Sequence, residues 1–204
     1  MKHSTVKTAA ASGDRRKIIL YATLAVVVVA IVVAVGLASR NVVSTSATQA
    51  PIKSTLKVGD TAPEFNVATV PGPGGFDLAP QTTPVLLEVF ATWCPHCQHE
   101  TAVLDALVTK YHGRVAIVAV SGSNVAIDGN TPESEDDVKA FAQTFKVTYP
   151  VAFDPDLKVA HQYLQGGYPT LVLITKDKKV AYIDSGEVSP SKLSDVIDKV
   201  LRSS

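Results

Sequence analysis

The chain has 204 residues, and its 19 Lys and Arg balance 19 Asp and Glu to a formal net charge of zero. This balance argues against a nucleic-acid-binding function, which needs a strongly basic surface. The length is enough for one domain of ordinary size plus a membrane anchor. From residue 51 onward there are 13 basic and 18 acidic residues, a mild acidic excess that favours solubility.

An uncharged run of 21 residues, 18–38, is the first predicted element. As a helix rising about 1.5 Å per residue, it would span a hydrocarbon core of roughly 30 Å. Basic residues concentrate before it, so the positive-inside rule places the tail 1–17 in the cytoplasm and the later residues outside. A cleaved signal peptide is the alternative, because small residues follow at 36–39, although the run is longer than a usual signal segment. We predict a single-pass cell-membrane protein with a flexible tether at 39–57 and a folded domain at 58–204.

The folded domain has a predicted order of β-α-β-α, then a β-hairpin and a final helix. Short apolar runs at 85–90 and 115–120 are typical of strands that are buried on both faces. The other predicted elements are a helix that opens at Cys94, a helix capped by Ser134 and Asp137, a short helix at 157–164, a hairpin at 171–174 and 180–183, and a helix that begins at Ser189-Pro190. This order predicts a mixed sheet with helices on both faces.

Cys94 and Cys97 are the only cysteines, and two residues separate them. Such a pair can close into a disulfide or exchange with the disulfide of a partner, which points to redox chemistry. At the start of a helix, Cys94 would lie where unpaired N–H groups and the helix dipole favour negative charge. Cys97 would lie one turn further in and be more shielded. The pattern predicts Cys94 as the attacking thiolate and Cys97 as the resolving thiol.

Three residues next to the cysteines are expected to modulate them. Pro95 suits the first helical turn, where its missing N–H would have no partner. His96, when protonated, adds a positive charge near Cys94; the alternative is an exposed helix residue with little effect. Trp93 is expected to cover the site; core packing is the alternative, and the two do not exclude each other. The pair could instead be half of a zinc site, but closed sites use four ligands and the histidines show no ligand spacing, so we predict neither metal nor cofactor.

Glu88 is a lone carboxylate in an apolar run, six residues before Cys94. Such a group is costly in a buried strand unless it is protonated, paired or used. The functional interpretation is a proton acceptor for Cys97 with a raised pKa. The alternative is an edge position that faces solvent.

The segment 90–97, Phe-Ala-Thr-Trp-Cys-Pro-His-Cys, follows a buried strand, and Gly-Tyr-Pro-Thr at 167–170 precedes another. Together they resemble a thioredoxin-fold protein over about 58–201. The stretch 147–154 is similar to the membrane-tethered TlpA/ResA branch. That resemblance implies an added β-α insertion and an extracytoplasmic thiol–disulfide oxidoreductase acting on protein thiols, often in cytochrome c maturation.

The resemblance also implies roles for individual residues. Pro169 matches the family's cis-proline, which exposes the backbone of Tyr168 to an extended substrate segment; an ordinary trans proline is the alternative. Glu100 matches an acidic residue of the ResA-like site, with a solvated helix carboxylate as the alternative. Glu88 occupies the position where thioredoxins have a buried Asp.

The dipeptide between the cysteines departs from the ResA-like pattern. Pro95-His96 is instead the dipeptide of DsbA, whose potential is near −120 mV, against about −270 mV for thioredoxin. The direction of electron flow therefore stays open at this point. A reductase would draw electrons from a membrane partner, whereas an oxidase would pass its disulfide to secreted proteins and be reoxidised by a quinone-linked partner.

Two other functions are alternatives. A peroxiredoxin-like peroxidase would want Thr or Ser three residues before the reactive cysteine, where Ala91 stands. A copper-delivery module of the same fold usually separates its cysteines by three residues and adds a distant His. Neither pattern matches this spacing.

Overall fold

The computed structural model describes residues 52–203 together with Tyr21, Val26 and Val27. The chain divides into two compact units, Met1–Thr48 and Gln49–Ser204. Of the first unit the structure describes only those three residues, which are helical.

The predicted cytoplasmic tail, the rest of the membrane helix 18–38 and the tether up to residue 51 lie outside the described residues. Within the described part of the chain, no helix has the length and apolar character needed to cross a membrane. The anchor therefore stays a prediction.

The described part of the second unit contains seven strands and four longer helices. They are β1 (Asn66–Val70), β2 (Gly74–Asp77), β3 (Val85–Phe90), α1 (Pro95–Lys110), β4 (Ala116–Ser121), α2 (Glu135–Thr144), β5 (Val151–Phe153), α3 (Lys158–Tyr163), β6 (Thr170–Ile174), β7 (Val180–Ser185) and α4 (Pro190–Arg202).

The seven strands form one mixed sheet in the order β2-β1-β5-β4-β3-β6-β7. Strands β3, β4 and β5 are parallel, whereas β6 runs antiparallel to β3 and β7 runs antiparallel to β6. All six residues of β3 are buried, because it has a neighbour on each side and helices on both faces. The strand that leads to the cysteines is thus at the centre of the sheet.

A separate apolar layer covers each face of the sheet. One layer joins Leu86 and Phe90 of β3 to apolar residues of α1, α2 and α4. The other joins the alternate β3 positions, such as Leu87, to α3 and to the β1–β2 hairpin. Side chains alternate along a strand, so Glu88 points to the same face as Leu86 and Phe90. That face is the one that α1 covers.

Most of the predicted elements are confirmed, and the thioredoxin-like mixed sheet is among them. Ser134 caps α2 through a reciprocal capping box with Asp137, and Ser189 caps α4 ahead of Pro190. The sequence analysis did not locate β1, β2 or β5. These strands have only three to five residues, and β2 begins with two glycines, so they carry too few apolar residues to show a period. The α2–β5 unit stands between β4 and α3 in the chain.

Candidate active site

The two cysteines lie where β3 ends and α1 begins. Cys94 is the N-cap residue of α1, with an extended backbone, and Pro95 is at the first helical position. Cys97 is one turn further along and is completely buried, whereas Cys94 keeps 4% of its surface exposed. Both are free thiols. The expected difference between an outer and an inner thiol is therefore present.

A loop before β6 faces the outer thiol. The Cys94 thiol donates to the backbone carbonyl of Tyr168 at 3.6 Å. The Tyr168–Pro169 bond is cis, so the alternative of a trans proline is wrong. The indole of Trp93 packs edge-on against the Tyr168 ring, with 5.8 Å between the ring centroids. Trp93 is 38% exposed, so it lies at the rim of the site rather than in the core.

Glu88 lies beneath the cysteines and is 2% exposed, so the alternative of a solvent-facing edge position is wrong. Burial raises its pKa well above the ordinary carboxyl value, and the nearby charge of Glu100 adds to this. Burial likewise raises the pKa of Cys97, and Glu88 is the second cause. A negative charge on either group therefore disfavours ionisation of the other.

Glu100 is also buried, at 1% exposure, so it is not a solvated helix carboxylate. Its Oε2 accepts from the backbone N–H of Val188 at 3.4 Å. Burial raises the pKa of Glu100 from its ordinary 4.5 to about 7, and the nearby Glu187 contributes. Three buried polar atoms in the described part of the chain lack a hydrogen-bond partner, namely Oε1 of Glu88, Oε1 of Glu100 and the hydroxyl of Tyr149. Unpaired burial favours the neutral forms of the carboxyls.

A third buried carboxylate, Glu133, holds the loop after β4 against the segment before Cys94. Its Oε1 accepts from the hydroxyl and the backbone N–H of Thr92, at 2.7 and 3.4 Å, and its Oε2 accepts from the hydroxyl of Ser121. In the same loop, Ser123 accepts from the indole N–H of Trp93 at 2.9 Å. These contacts fix the backbone on the Trp93 side of the site.

An ion-pair cluster lies at the first turn of α1. Nδ1 of His96 is 2.6 Å from Oε1 of Glu187, and Nδ1 of His99 is 3.3 Å from the same oxygen. His96 is exposed, as its alternative interpretation held, but it has an acidic partner that neither interpretation included. The two histidines lower the pKa of Glu187, and the hydrogen bond with His96 is the largest cause.

The structure thus brings all the predicted site residues to one region around the start of α1. Four neighbours of the site were not predicted from the sequence, namely Glu133, Glu187, His99 and Tyr149. Glu133 and Glu187 reach it over 41 and 91 residues of chain, and no local pattern marks such contacts. In the described part of the chain, no group of three or more Cys, His, Asp or Glu could hold a metal ion.

The fold and the dithiol at the start of α1 define a thioredoxin-fold thiol–disulfide oxidoreductase. The chain belongs to the Redoxin family, whose model matches residues 57–201. This assignment confirms the predicted enzyme class.

Named relatives agree with that class. Thiol-disulfide oxidoreductase ResA of Bacillus cereus is 29% identical over 148 residues, which cover 72% of this chain and 81% of the relative. Thioredoxin-like protein YneN of Bacillus subtilis is 27% identical over 143 residues, covering 70% and 80%. A solved structure from Chlorobium tepidum, assigned as a thiol:disulfide interchange protein DsbE, superposes with a TM-score of 0.63 at 26% identity. It covers 72% of this chain and 99% of that one.

The buried carboxyl of Glu100 makes stability depend on pH. A group whose pKa is raised on folding stabilises the folded state fully at pH below its unfolded-state pKa. This stabilisation is lost as pH rises through the folded-state pKa. We expect the free energy of unfolding to fall as pH rises from 4.5 to about 7, and Glu100→Gln to flatten that fall. Guanidinium unfolding of the full chain at a series of pH values measures it.

Glu135→Gln is the matched control, because Glu135 is exposed in the first turn of α2. It should leave the slope of stability against pH as in the parent chain. An unchanged slope in Glu100→Gln would contradict a raised pKa for Glu100.

Proposed function

We propose that this protein is a membrane-anchored, extracytoplasmic reductase of protein disulfides, of the ResA/DsbE type. The observation that carries the proposal is the inequality of the two thiols. Cys94 begins α1 beside the backbone of Tyr168, whereas Cys97 is fully buried next to Glu88. An exchange enzyme needs this division between an attacking and a resolving sulfur.

The first step is attack by the Cys94 thiolate on a disulfide of the client protein. A bond forms between Sγ of Cys94 and one client sulfur, and the other client sulfur leaves as a thiolate. The position of Cys94 at the helix start supports this role, because the helix N-terminus favours negative charge.

The second step is attack by Cys97 on Sγ of Cys94, which releases the second client thiol and leaves the Cys94–Cys97 disulfide. Cys97 must first lose its proton, and its buried surroundings oppose this. The carboxylate of Glu88 is the proposed acceptor. Burial favours the protonated form of Glu88, so its ionised fraction takes the proton, and the raised pKa makes that carboxylate a stronger base than an exposed one.

Client binding is assigned to the loop of Tyr168 and Pro169 and to the rim residue Trp93. The Tyr168 carbonyl already accepts from the Cys94 thiol, so a peptide backbone placed there would lie next to the reacting sulfur. The Tyr168 hydroxyl donates to the carbonyl of Gly122 at 2.5 Å, which holds its ring in place. Trp93 and Tyr168 then form one wall of the client site.

The carboxyls around the dithiol support the reductive direction. A strong oxidant needs a stabilised thiolate in its reduced form. Glu88 and Glu100 are both buried, and a negative charge on Glu88 disfavours a thiolate at Cys97. This environment supports a potential nearer to that of thioredoxin than to that of DsbA, despite the Pro95-His96 dipeptide.

The cellular setting is proposed from the sequence and the relatives. The uncharged run 18–38 would anchor the chain, and the basic tail before it would place the domain outside the cytoplasm. A membrane redox protein would then resupply electrons. The resemblance of the sequence to the TlpA/ResA branch, whose members often act in cytochrome c maturation, supports apocytochrome c as the client. No cofactor is needed, because both electrons travel through the sulfurs.

Trapping tests the division of labour between the thiols. Cys97→Ala should accumulate a mixed disulfide between Cys94 and its client, since the resolving thiol is gone. Diagonal electrophoresis and mass spectrometry of the full chain in cells would detect the adduct. Cys94→Ala is the matched control and should trap little. Equal adducts on both variants would mean that the two cysteines do not have separate roles.

The reduction potential tests the direction. Equilibration with glutathione buffers should give a value closer to about −270 mV than to about −120 mV, the values of thioredoxin and DsbA. A potential near that of DsbA would contradict the reductase and favour an oxidase.

A further inference from the structure

Glu187 is an exposed carboxylate that lies against the first turn of α1, although it belongs to the segment between β7 and α4. Its Oε1 is 2.6 Å from Nδ1 of His96 and 3.3 Å from Nδ1 of His99. His96 is one of the two residues between the active-site cysteines. One acidic oxygen therefore contacts two basic side chains beside the dithiol.

The backbone on both sides of Glu187 is fixed. The N–H of Gly186 donates to the carbonyl of Pro169 at 2.8 Å, and Gly186 has a φ of +90°, which suits glycine. The N–H of Val188 donates to Glu100, and the Val188 side chain is buried in the core. The fold thus holds Glu187 at this place independently of its contacts with the histidines.

We propose that Glu187 is a tuning residue that cancels the positive charge of His96 and so keeps the Cys94–Cys97 couple reducing. The inference rests on the proposed function, because a potential matters only if the couple exchanges. In this proposal, a Pro-His dipeptide makes a dithiol strongly oxidising when its histidine has no acidic partner. Glu187 is an acidic partner for His96 in this protein.

The sign of the effect does not depend on how far His96 is protonated. With a neutral His96, Glu187 leaves a net negative charge at the start of α1; with a protonated His96, the pair is neutral. Replacing the carboxylate by an amide makes the local charge more positive in either case. A more positive environment stabilises the Cys94 thiolate, and therefore the reduced protein.

The measured equilibrium is that of the protein disulfide and two glutathione thiols with the protein dithiol and one glutathione disulfide. Two electrons and two protons pass from glutathione to the protein, so the reaction balances. Glu187→Gln should shift this equilibrium toward the dithiol by about threefold, the size expected for an exposed pair. Threefold corresponds to about 14 mV for a two-electron couple.

Two further variants complete the test. Asp184→Asn is the matched control, because Asp184 lies three residues earlier, is similarly exposed and pairs with Lys192 rather than a histidine. It should leave the equilibrium unchanged. His96→Asn removes the positive charge that Glu187 opposes, so at a pH where His96 is protonated it should move the equilibrium the opposite way, toward the disulfide. All variants are full-length chains, compared after their folding has been checked by circular dichroism.

Salt distinguishes a charge effect from a packing effect. The Debye length falls from about 10 Å at 0.1 M to about 3 Å at 1 M, so the Glu187→Gln shift should shrink at high salt. The proposal is overturned if Glu187→Gln matches the parent chain or Asp184→Asn, if His96→Asn has no effect at a pH where His96 is protonated, or if the Glu187→Gln shift is the same at both salt concentrations. A parent chain that does not exchange with glutathione at all would instead contradict the proposed function.

Discussion

The burial of carboxyl groups beside Cys97 is the constraint on which the rest of the site depends. A carboxylate in an apolar interior is unfavourable by several kcal/mol as a charge, so Glu88 and Glu100 favour their protonated forms. The fold accepts this cost for Glu88 in the central strand β3 and for Glu100 on α1, where apolar residues would pack without penalty. Such a placement is typical of groups that take part in proton transfer.

The carboxyls make the two cysteines chemically different. Cys97 shares its buried surroundings with Glu88, and the charge of Glu88 adds to burial in raising the pKa of Cys97. Cys94 lies outside this region, at the N-terminus of α1, where the unpaired helix N–H groups point outward. One turn of helix therefore separates the thiol that attacks from the buried thiol and the carboxyl that can hold its proton. Loops from β4, β6 and β7 then complete the surface around the outer thiol.

The sequence was sufficient for the features that depend on local patterns. The apolar run of β3, the spacing of the two cysteines and the cap at Ser189-Pro190 each lie within a few neighbouring residues, so they could be predicted. The burial of Glu88 could be predicted too, because the residues around it are all apolar. The resemblance to thioredoxin-fold proteins supplied the cis-proline and pointed to Glu100 as a residue of the site.

Contacts between distant segments could not be predicted in the same way. Glu187 looks like an ordinary surface carboxylate in the sequence, and only the packing of the β7–α4 segment against α1 places it on His96. Glu133 looks equally ordinary, yet it is buried against Thr92 and Ser121. The potential of a dithiol depends on all charges around it, so the dipeptide between the cysteines was an incomplete guide.

The central claim is that the two thiols of one motif are unequal because Cys97 is buried with Glu88. The most direct test is alkylation of the reduced full-length chain by iodoacetamide across a pH series, with the modified cysteine identified by peptide mass spectrometry. The account predicts that Cys94 is modified first at every pH, while Cys97 stays unmodified through the neutral range. Equal rates at the two cysteines, or faster modification of Cys97, would contradict it.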